Sequence, residues 1–364
     1  MKSTVQNERI KRKYFIYLID RKCRDPQTVD AIAASIAKYE QHTGNVDFRK
    51  LHIEKVRAFK RSLEEALNER TGKPLSASTK YATLNHLKAF FEWLSLQPGY
   101  KSKIKMADVD YFSVPDKMAR IATARREKTG PSLEQVREVI LAMPVSTDVE
   151  RRNRALIAFT ILTGARDGAI ITFKLKHIDI ANRLVRQDAR EVSTKFGKTS
   201  DIWFFPVGDD LIRIISDWVA ELRAKGFGDE DPLFPKTASL PGPDQNFGAT
   251  SLLKEHWATA MPVRDIFRKA FASAGHPYAN PHSFRNTLVQ LAYRLKLDPE
   301  RFKAWSQNLA HENMLTTFSS YGDITGYRQA EIMRGLAEAT EGDEVTLKPD
   351  ELKTIIAAAK AGRL

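Results

Sequence analysis

The segment NPHSFRNTLVQLAYRL sets His282 and Arg285 three residues apart at the predicted start of a helix. Asn280 is expected to cap this helix, and Pro281 suits its first position. Residues three apart share one helix face, so both cations would face whatever approaches the helix end. Main-chain N–H groups and the helix dipole already favour an anion there, so an imidazole and a guanidinium together could clamp a phosphate. Taken alone, however, this motif is more often a capped helix with surface charges.

Arg166 shows the same kind of placement in the segment LTGARDGAI. Gly164 is expected to end an apolar helix, and Arg166 follows at a junction between that helix and the next. A side chain at such a junction can project into a cleft, although a lone arginine there is more often a surface charge.

The remaining candidates are two lysines, a histidine and a tyrosine. Lys195 and Lys198 lie in the segment STKFGKTSD, which the sequence predicts to be a β-hairpin. His311 and Tyr321 lie close together in LAHENMLTTFSSYGD. Each of these residues taken alone is ordinary: hairpin lysines are usually solvated, and histidines and tyrosines usually serve packing.

The composition favours a polyanionic partner, nucleic acid first. The 364 residues carry a formal net charge of +13, spread along the chain and not gathered in one tail. Cys23 is the only cysteine, which excludes an intramolecular disulfide and fits a reducing cytoplasm. Since no run of about 18 apolar residues occurs, we expect neither export nor a membrane span.

The N-terminal residues, 1–112, are predicted to form a small helical domain. Asp25 begins one amphipathic helix that stops at Gly44, and a second helix is expected to end at Gly72. A third is expected to be capped near Ser78. Residues 113–131 contain proline, glycine and many basic residues, so they are predicted to be a basic linker.

Residues 132–340 are predicted to form a second domain, mostly helical with one small antiparallel sheet. The sheet is expected where valine, isoleucine, tryptophan and phenylalanine cluster, with its hairpin near residues 196–199. The fold class is therefore α+β, mainly α. Residues 341–364 are predicted to be a tail with a short helix that needs a groove, on its own domain or on a neighbouring subunit, to bury its apolar stripe.

Taken in chain order, these candidates resemble the pattern of the tyrosine recombinase, or phage integrase, family. That pattern is an arginine after a Thr-Gly turn, a lysine in a β-hairpin, His-x-x-Arg, a histidine after Gly or Ala, and a tyrosine shortly downstream. The resemblance extends over about residues 130–335, and the helical segment STKYATLNHLKAFFEWL resembles the family's core-binding domain. The catalytic residues it implies are Arg166, Lys195, His282, Arg285, His311 and Tyr321.

The resemblance implies a DNA strand transferase that forms a covalent 3′-phosphotyrosine intermediate. The arginines would hold phosphate oxygens through forked donors, and His311 would add a hydrogen bond. His282 would accept the proton of Tyr321, since a phenol with a pKa of about 10 is a weak nucleophile at neutral pH. Lys195 would protonate the departing 5′ oxygen. Because the phosphotyrosine conserves the bond's free energy, neither ATP nor a metal or other cofactor is expected.

Three departures from the family pattern stand out. His311 lies ten residues before Tyr321, where the family commonly has nine. Ala310 stands where glycine is usual, and because both residues are small this change is expected to matter little. The hairpin is also longer. Lys195 closes the predicted strand EVSTK, whereas counting back from Pro206 favours Lys198, so both lysines stay eligible.

Three alternatives remain beside a site-specific recombinase: a type IB topoisomerase, a telomere resolvase, and a DNA-binding protein without chemistry. The expected partner is double-stranded DNA with a specific recombination site. The resemblance further implies that the protein acts as a homo-tetramer on that DNA, and it allows for a DNA-bending accessory protein. The expected location is the cytoplasm, in association with the nucleoid. The target sequence, the host element and the direction of the reaction do not follow from the sequence.

Overall fold

The chain divides into two compact units, residues 1–125 and residues 126–364. The structure is a computed structural model, and the residues it describes are 5–69, 71–124, 130–194, 197–241 and 247–310.

The described part of the first unit is helical. Its α-helices in chain order are α1 Val5–Ile16, α2 Pro26–His42, α3 Ile53–Glu65, α4 Ala77–Ser95, α5 Met106–Val109 and α6 Asp116–Thr123. Aromatic rings fill the core between them. Tyr39 lies edge-on to Phe59, Phe91 and Phe112 with centroid distances of 5.2, 5.3 and 5.7 Å, a geometry that aromatic quadrupoles favour.

The helix starts predicted in this unit are close to those observed. Asp25 caps α2 as predicted, because its carboxylate accepts the N–H of Gln27. The cap of α4 is Ser76 and not Ser78, since the Ser76 hydroxyl accepts the N–H of Thr79.

The helix predicted to run to Gly72 ends earlier, at Glu65. Beyond it, Leu67 pairs with Pro74 in an isolated antiparallel bridge. Asn68 closes the turn, because its main-chain oxygen accepts the N–H of Gly72 and its side-chain oxygen that of Thr71. Asparagine stabilises a turn in this way at the expense of a helix.

Part of the predicted linker, residues 113–131, is helical in the structure, because α6 lies within it. Ala122 of α6 is buried, and its carbonyl oxygen accepts a hydrogen bond from the Ser78 hydroxyl on α4 at 2.6 Å. Residues 116–123 therefore pack as part of the first unit.

The described part of the second unit combines helices with two antiparallel sheets. The helices are α7 Leu133–Ala142, α8 Asp148–Thr163, α9 Asp167–Ile170, α10 Asp209–Ala224, α11 Met261–Ser273, α12 Ser283–Arg294 and α13 Pro299–Asn308. The strands are β1 Ile178–Asp179, β2 Leu184–Gln187, β3 Ser200–Trp203, β4 Lys236–Pro241 and β5 Phe247–Leu253.

Helix α8 is the centre of the second core. A capping box between Thr147 and Glu150 starts it, and Gly164 ends it in the left-handed conformation. Every residue of α8 from Ala155 to Thr163 is buried, which is typical of a helix surrounded on all sides. The position of α8 within the unit, and with it that of Gly164, is therefore fixed by packing.

The prediction of a mainly α fold with a small antiparallel sheet is confirmed, but the prediction of a single sheet is wrong. One sheet has the order β1-β2-β3, and a separate ribbon pairs β4 with β5. The ribbon sequence is rich in serine, threonine, glycine and proline, which reads as loop. Tertiary contacts overrode that local preference: the buried Arg152 guanidinium donates to the oxygens of Pro235 and Thr237 and so holds the base of the ribbon.

Candidate active site

Arg166 lies where the sequence predicted, between the end of α8 and the start of α9. Gly164 adopts φ +60°, and Arg166 is the residue that precedes the first turn of α9. A Cβ on Gly164 would come within 2.9 Å of Leu309 and 3.1 Å of Leu288. The turn that carries Arg166 therefore favours glycine, both for its left-handed backbone and for this close approach.

Arg166 and His282 line one cleft of about 370 Å³. Asp167, Arg264, Asn280 and Pro281 are the other described residues that line it. Two guanidinium groups and an imidazole thus stand around a single carboxylate. The excess of positive charge and hydrogen-bond donors suits an anion with several oxygens, such as a phosphodiester.

Among the described residues, Asp167 is the one carboxylate that lines the cleft, and it pairs with Arg264. The Arg264 Nε and Nη2 atoms both approach Asp167 Oδ2, at 2.8 and 2.7 Å. The pair links the start of α9 to the first turns of α11, and it fixes the direction of the Arg264 side chain.

His282 stands at the start of α12, but the regular helix begins two residues later than predicted. In the opening turn each N–H donates to the carbonyl oxygen three residues earlier, as Ser283 does to Asn280 and Arg285 to His282. Asn280 does cap this turn, because its side-chain oxygen accepts the N–H of Ser283 at 3.1 Å. His282 is exposed at that end, whereas Pro281 is buried.

Arg285 does not face solvent with His282, which corrects the expectation that both cations meet whatever approaches. The Arg285 side chain is only 3% exposed. Its Nη1 donates to the carbonyl oxygen of Gly164 at 2.7 Å, and its Nη2 donates to that of Leu309. The guanidinium therefore bridges the C-terminal ends of α8 and α13. Its contact on α8, Gly164, lies two residues before Arg166 in the sequence.

Ala310, the residue before His311, has φ +53°. An L-residue with a side chain is disfavoured there, and glycine is the usual choice. The substitution of alanine for the family's glycine is therefore not neutral, as its small size had indicated, because it leaves a strained residue after α13.

The lysine candidates lie in the connection between β2 and β3, which pair with Gln187 opposite Ser200. Residues 191–194 form no strand. The predicted strand EVSTK, on which the choice of Lys195 was based, is therefore wrong. A turn replaces it, because the N–H groups of Glu191 and Val192 both bind the carbonyl oxygen of Asp188. Lys198 is exposed, two residues before β3.

Lys195, His311 and Tyr321 lie outside the described residues. The structure thus brings together three of the six predicted site residues, namely Arg166, His282 and Arg285.

Sequence analysis missed Arg264 and Asp167 as residues of the cleft. Arg264 occurs in MPVRDIFRKAF, where the arginines fall on the exposed face of an amphipathic helix. A solvated arginine would give the same pattern, and only the spatial approach of α11 to α9 distinguishes the two. No signal in the local sequence could have found this pair.

Residues 133–326 match the model of the Phage integrase family. The chain is 23% identical over 321 residues to the tyrosine recombinase XerC of Lactobacillus delbrueckii subsp. bulgaricus, covering 85% of this chain and 92% of that protein. A XerC of Lactobacillus leichmannii gives 23% over 316 residues, with the same coverage of both chains.

Solved structures show the same fold. A lambda integrase fragment bound as a dimer to a COC′ core site aligns with a TM-score of 0.58 and 13% identity, covering 88% of this chain and 96% of that one. The Tn1549 transposon integrase in complex with transposon right end DNA aligns with a TM-score of 0.53 and 15% identity, covering 90% and 99%. Among the described residues, no helix is long and apolar enough to cross a membrane.

Proposed function

The chain belongs to the phage integrase family and is a site-specific DNA recombinase of the tyrosine type, and from this premise we propose that Tyr321 is its nucleophile. The observation that carries the proposal is the cleft itself. Arg166 and His282 are distant in sequence yet line one cationic cavity, and Arg285 binds the helix end beside it. A phosphodiester placed there would meet donors from two separate elements.

The proposed reaction is a phosphoryl transfer. The Tyr321 oxygen bonds to phosphorus while the bond from phosphorus to the 5′ oxygen breaks. His282 accepts the phenol proton, and Lys195 or Lys198 gives a proton to the leaving 5′ oxygen. A 5′ hydroxyl of another strand then attacks the 3′-phosphotyrosine and restores both tyrosine and phosphodiester.

Arg166, Arg285 and His311 would stabilise the charge on the non-bridging oxygens. Arg285 makes its two main-chain bonds through Nη1 and Nη2. A guanidinium carries five N–H donors, so bonds to helix ends are compatible with a bond to a phosphate oxygen. No metal or ATP takes part in this scheme, and cleavage is expected to continue in excess EDTA.

The domain scheme extends this proposal to DNA binding. Residues 1–112 together with α6 would serve as the core-binding domain, and the rest of the predicted basic linker 113–131 would cross the phosphate backbone. Residues 132–340 would be the catalytic domain and 341–364 a tail. A homo-tetramer on two recombination sites, with the tail helix exchanged between subunits, fits the requirement that four strands be cut and rejoined. A DNA-bending accessory protein and a location at the nucleoid complete the scheme.

A nicked suicide duplex tests the nucleophile. Wild-type protein should form a covalent adduct visible on a denaturing gel, whereas Tyr321→Phe should still shift the DNA on a native gel yet form no adduct. Tyr327→Phe is the matched control, because Tyr327 is the nearest other tyrosine, and it should form the adduct normally.

An adduct that persists in Tyr321→Phe, or that disappears in Tyr327→Phe, contradicts the assignment. With a two-site substrate, junction products from two duplexes support recombination. Relaxation of supercoiled DNA without junctions would instead indicate a topoisomerase, and hairpin ends a telomere resolvase.

A further inference from the structure

The Thr172 hydroxyl joins the element that carries Arg166 to the connection that contains both candidate lysines. The Thr172 hydroxyl accepts the N–H of Ser193 at 2.9 Å, and it donates to the carbonyl oxygen of Ala169 at 3.0 Å. Ala169 is in α9, the short helix that Arg166 precedes. Ser193 lies in the connection between β2 and β3, two residues before Lys195.

A second tie holds the same connection at Glu191. The Glu191 carboxylate meets His177 Nε2 at 3.1 Å and Lys176 Nζ at 2.8 Å. His177 Nδ1 accepts the N–H of Lys174 at 2.9 Å, so Nε2 carries the proton that is donated to Glu191. The hydrogen bond from Lys176 holds the pKa of Glu191 below its usual range, and burial lowers the pKa of His177.

Two further contacts fix the described parts of the connection. The Val192 side chain is 2% exposed and belongs to the core of the second unit. The N–H of Ala189 donates to the Thr199 hydroxyl at 3.1 Å, which closes the connection across its base. Glu191 and Val192 are thus bound to the body of the unit, and Ser193 is bound to Thr172.

We propose that Thr172 is a positioning residue for the proton-donating lysine. This inference rests on the proposed function, in which a lysine of the connection protonates the 5′ oxygen of a phosphate held by Arg166. A general acid must lie within hydrogen-bond reach of the atom it protonates. The Thr172 hydroxyl fixes the distance between α9, which follows Arg166, and the connection between β2 and β3. In this way it positions the lysine relative to the 5′ oxygen of the phosphate.

Substitution of Thr172 by valine tests this idea, because valine keeps the branched shape and removes the hydroxyl. The substrates are an ordinary suicide duplex and one in which sulfur replaces the 5′ bridging oxygen, since a thiolate leaves without a proton. We expect Thr172→Val to cleave the ordinary duplex at least about ten-fold more slowly, since misplacement by about 1 Å costs up to a hundred-fold. Cleavage of the sulfur duplex should stay within about two-fold of wild type, because no proton transfer is then needed.

Two matched variants separate positioning from folding. Thr160→Val removes a buried hydroxyl of α8 that donates to Leu156 within its own helix at 2.7 Å, and it should cleave both duplexes at wild-type rates. Thr172→Ser restores the hydroxyl and should recover most of the lost rate on the ordinary duplex. Equal loss of rate on both duplexes in Thr172→Val, or no loss on either, overturns the inference.

The lysine variants distinguish this inference from the proposed function. Lys195→Ala and Lys198→Ala are measured on the same two duplexes, and the one that sulfur rescues is the general acid. If sulfur rescues a lysine variant but Thr172→Val shows no such difference, only the positioning role fails. If sulfur rescues neither lysine variant, the general-acid assignment fails, and the role of Thr172 fails with it.

Discussion

Two neighbouring regions of the second unit place their arginine side chains in opposite environments, one buried and one open to solvent. In the buried region, Arg285 is 3% exposed and donates to the carbonyl oxygens of Gly164 and Leu309. In the open cleft, the partly exposed Arg166 and the exposed Arg264 stand beside the exposed His282.

Helix ends explain the difference. Gly164 and Leu309 cap the C-terminal ends of α8 and α13, so the carbonyl groups that Arg285 binds lie at the partial negative charge of two helix C-termini. His282 stands instead at the N-terminal end of α12, where the partial charge is positive. The buried region supplies its own acceptors, whereas the described lining of the cleft places positive charge around one carboxylate, Asp167. We therefore expect substitutions in the buried region to lower the free energy of unfolding, and substitutions in the cleft to weaken DNA binding.

The largest effect is expected for Arg285→Ala. It leaves two buried carbonyl oxygens without the guanidinium, and each such loss costs about 1–3 kcal/mol, so the free energy of unfolding should fall by about 3 kcal/mol. Urea unfolding followed by tryptophan fluorescence measures this, since tryptophans 203, 218, 257 and 305 belong to the second unit and only Trp93 to the first.

Arg264→Ala is the control for that measurement. Its ion pair with Asp167 is exposed, so its loss should change the free energy of unfolding by less than about 1 kcal/mol. If both variants lose the same stability, the contrast between the buried region and the cleft is wrong.

Gly164→Ala should be the next most destabilising change, by about 2 kcal/mol, from the left-handed backbone and from crowding against Leu309 and Leu288. Gly275→Ala is the matched control, because Gly275 has φ +73° but nothing within 4 Å of an added Cβ. Its loss should be the backbone part alone, about 1 kcal/mol. Equal losses at the two positions would show that packing at the end of α8 does not matter.

In the cleft, we expect Arg264→Ala to weaken DNA binding without unfolding the protein. If Arg264 contacts a phosphate, the slope of the logarithm of affinity against the logarithm of salt concentration should become shallower by about 0.9. Arg268→Ala is the control one turn along α11, because Arg268 pairs with Asp265 and stacks over Tyr278 and does not line the cleft. An unchanged salt slope in Arg264→Ala would remove it from the DNA contacts.

The sequence predicted much of this arrangement, and the failures have physical causes. The end of α8 at Gly164 and the cap at Asn280 depend on local chemistry, so they could be predicted. The burial of Arg285 and the approach of Arg264 to Asp167 depend on which helices meet, which no local pattern encodes. The β4–β5 ribbon was missed because contacts such as those of Arg152 stabilise it against its own composition.

The smallest expected effect is a gain, at Ala310. This alanine is held at φ +53° beside Leu309, whose carbonyl oxygen binds Arg285. Glycine tolerates that backbone, so Ala310→Gly should raise the free energy of unfolding by about 0.5–1 kcal/mol. Ala274→Gly is the matched control, since Ala274 ends α11 with an ordinary φ of −87°. There the added chain entropy of the unfolded state should lower the free energy of unfolding by up to about 1 kcal/mol. Opposite signs at the two positions would show that the protein carries backbone strain next to His311, and a loss of stability at both would show that it does not.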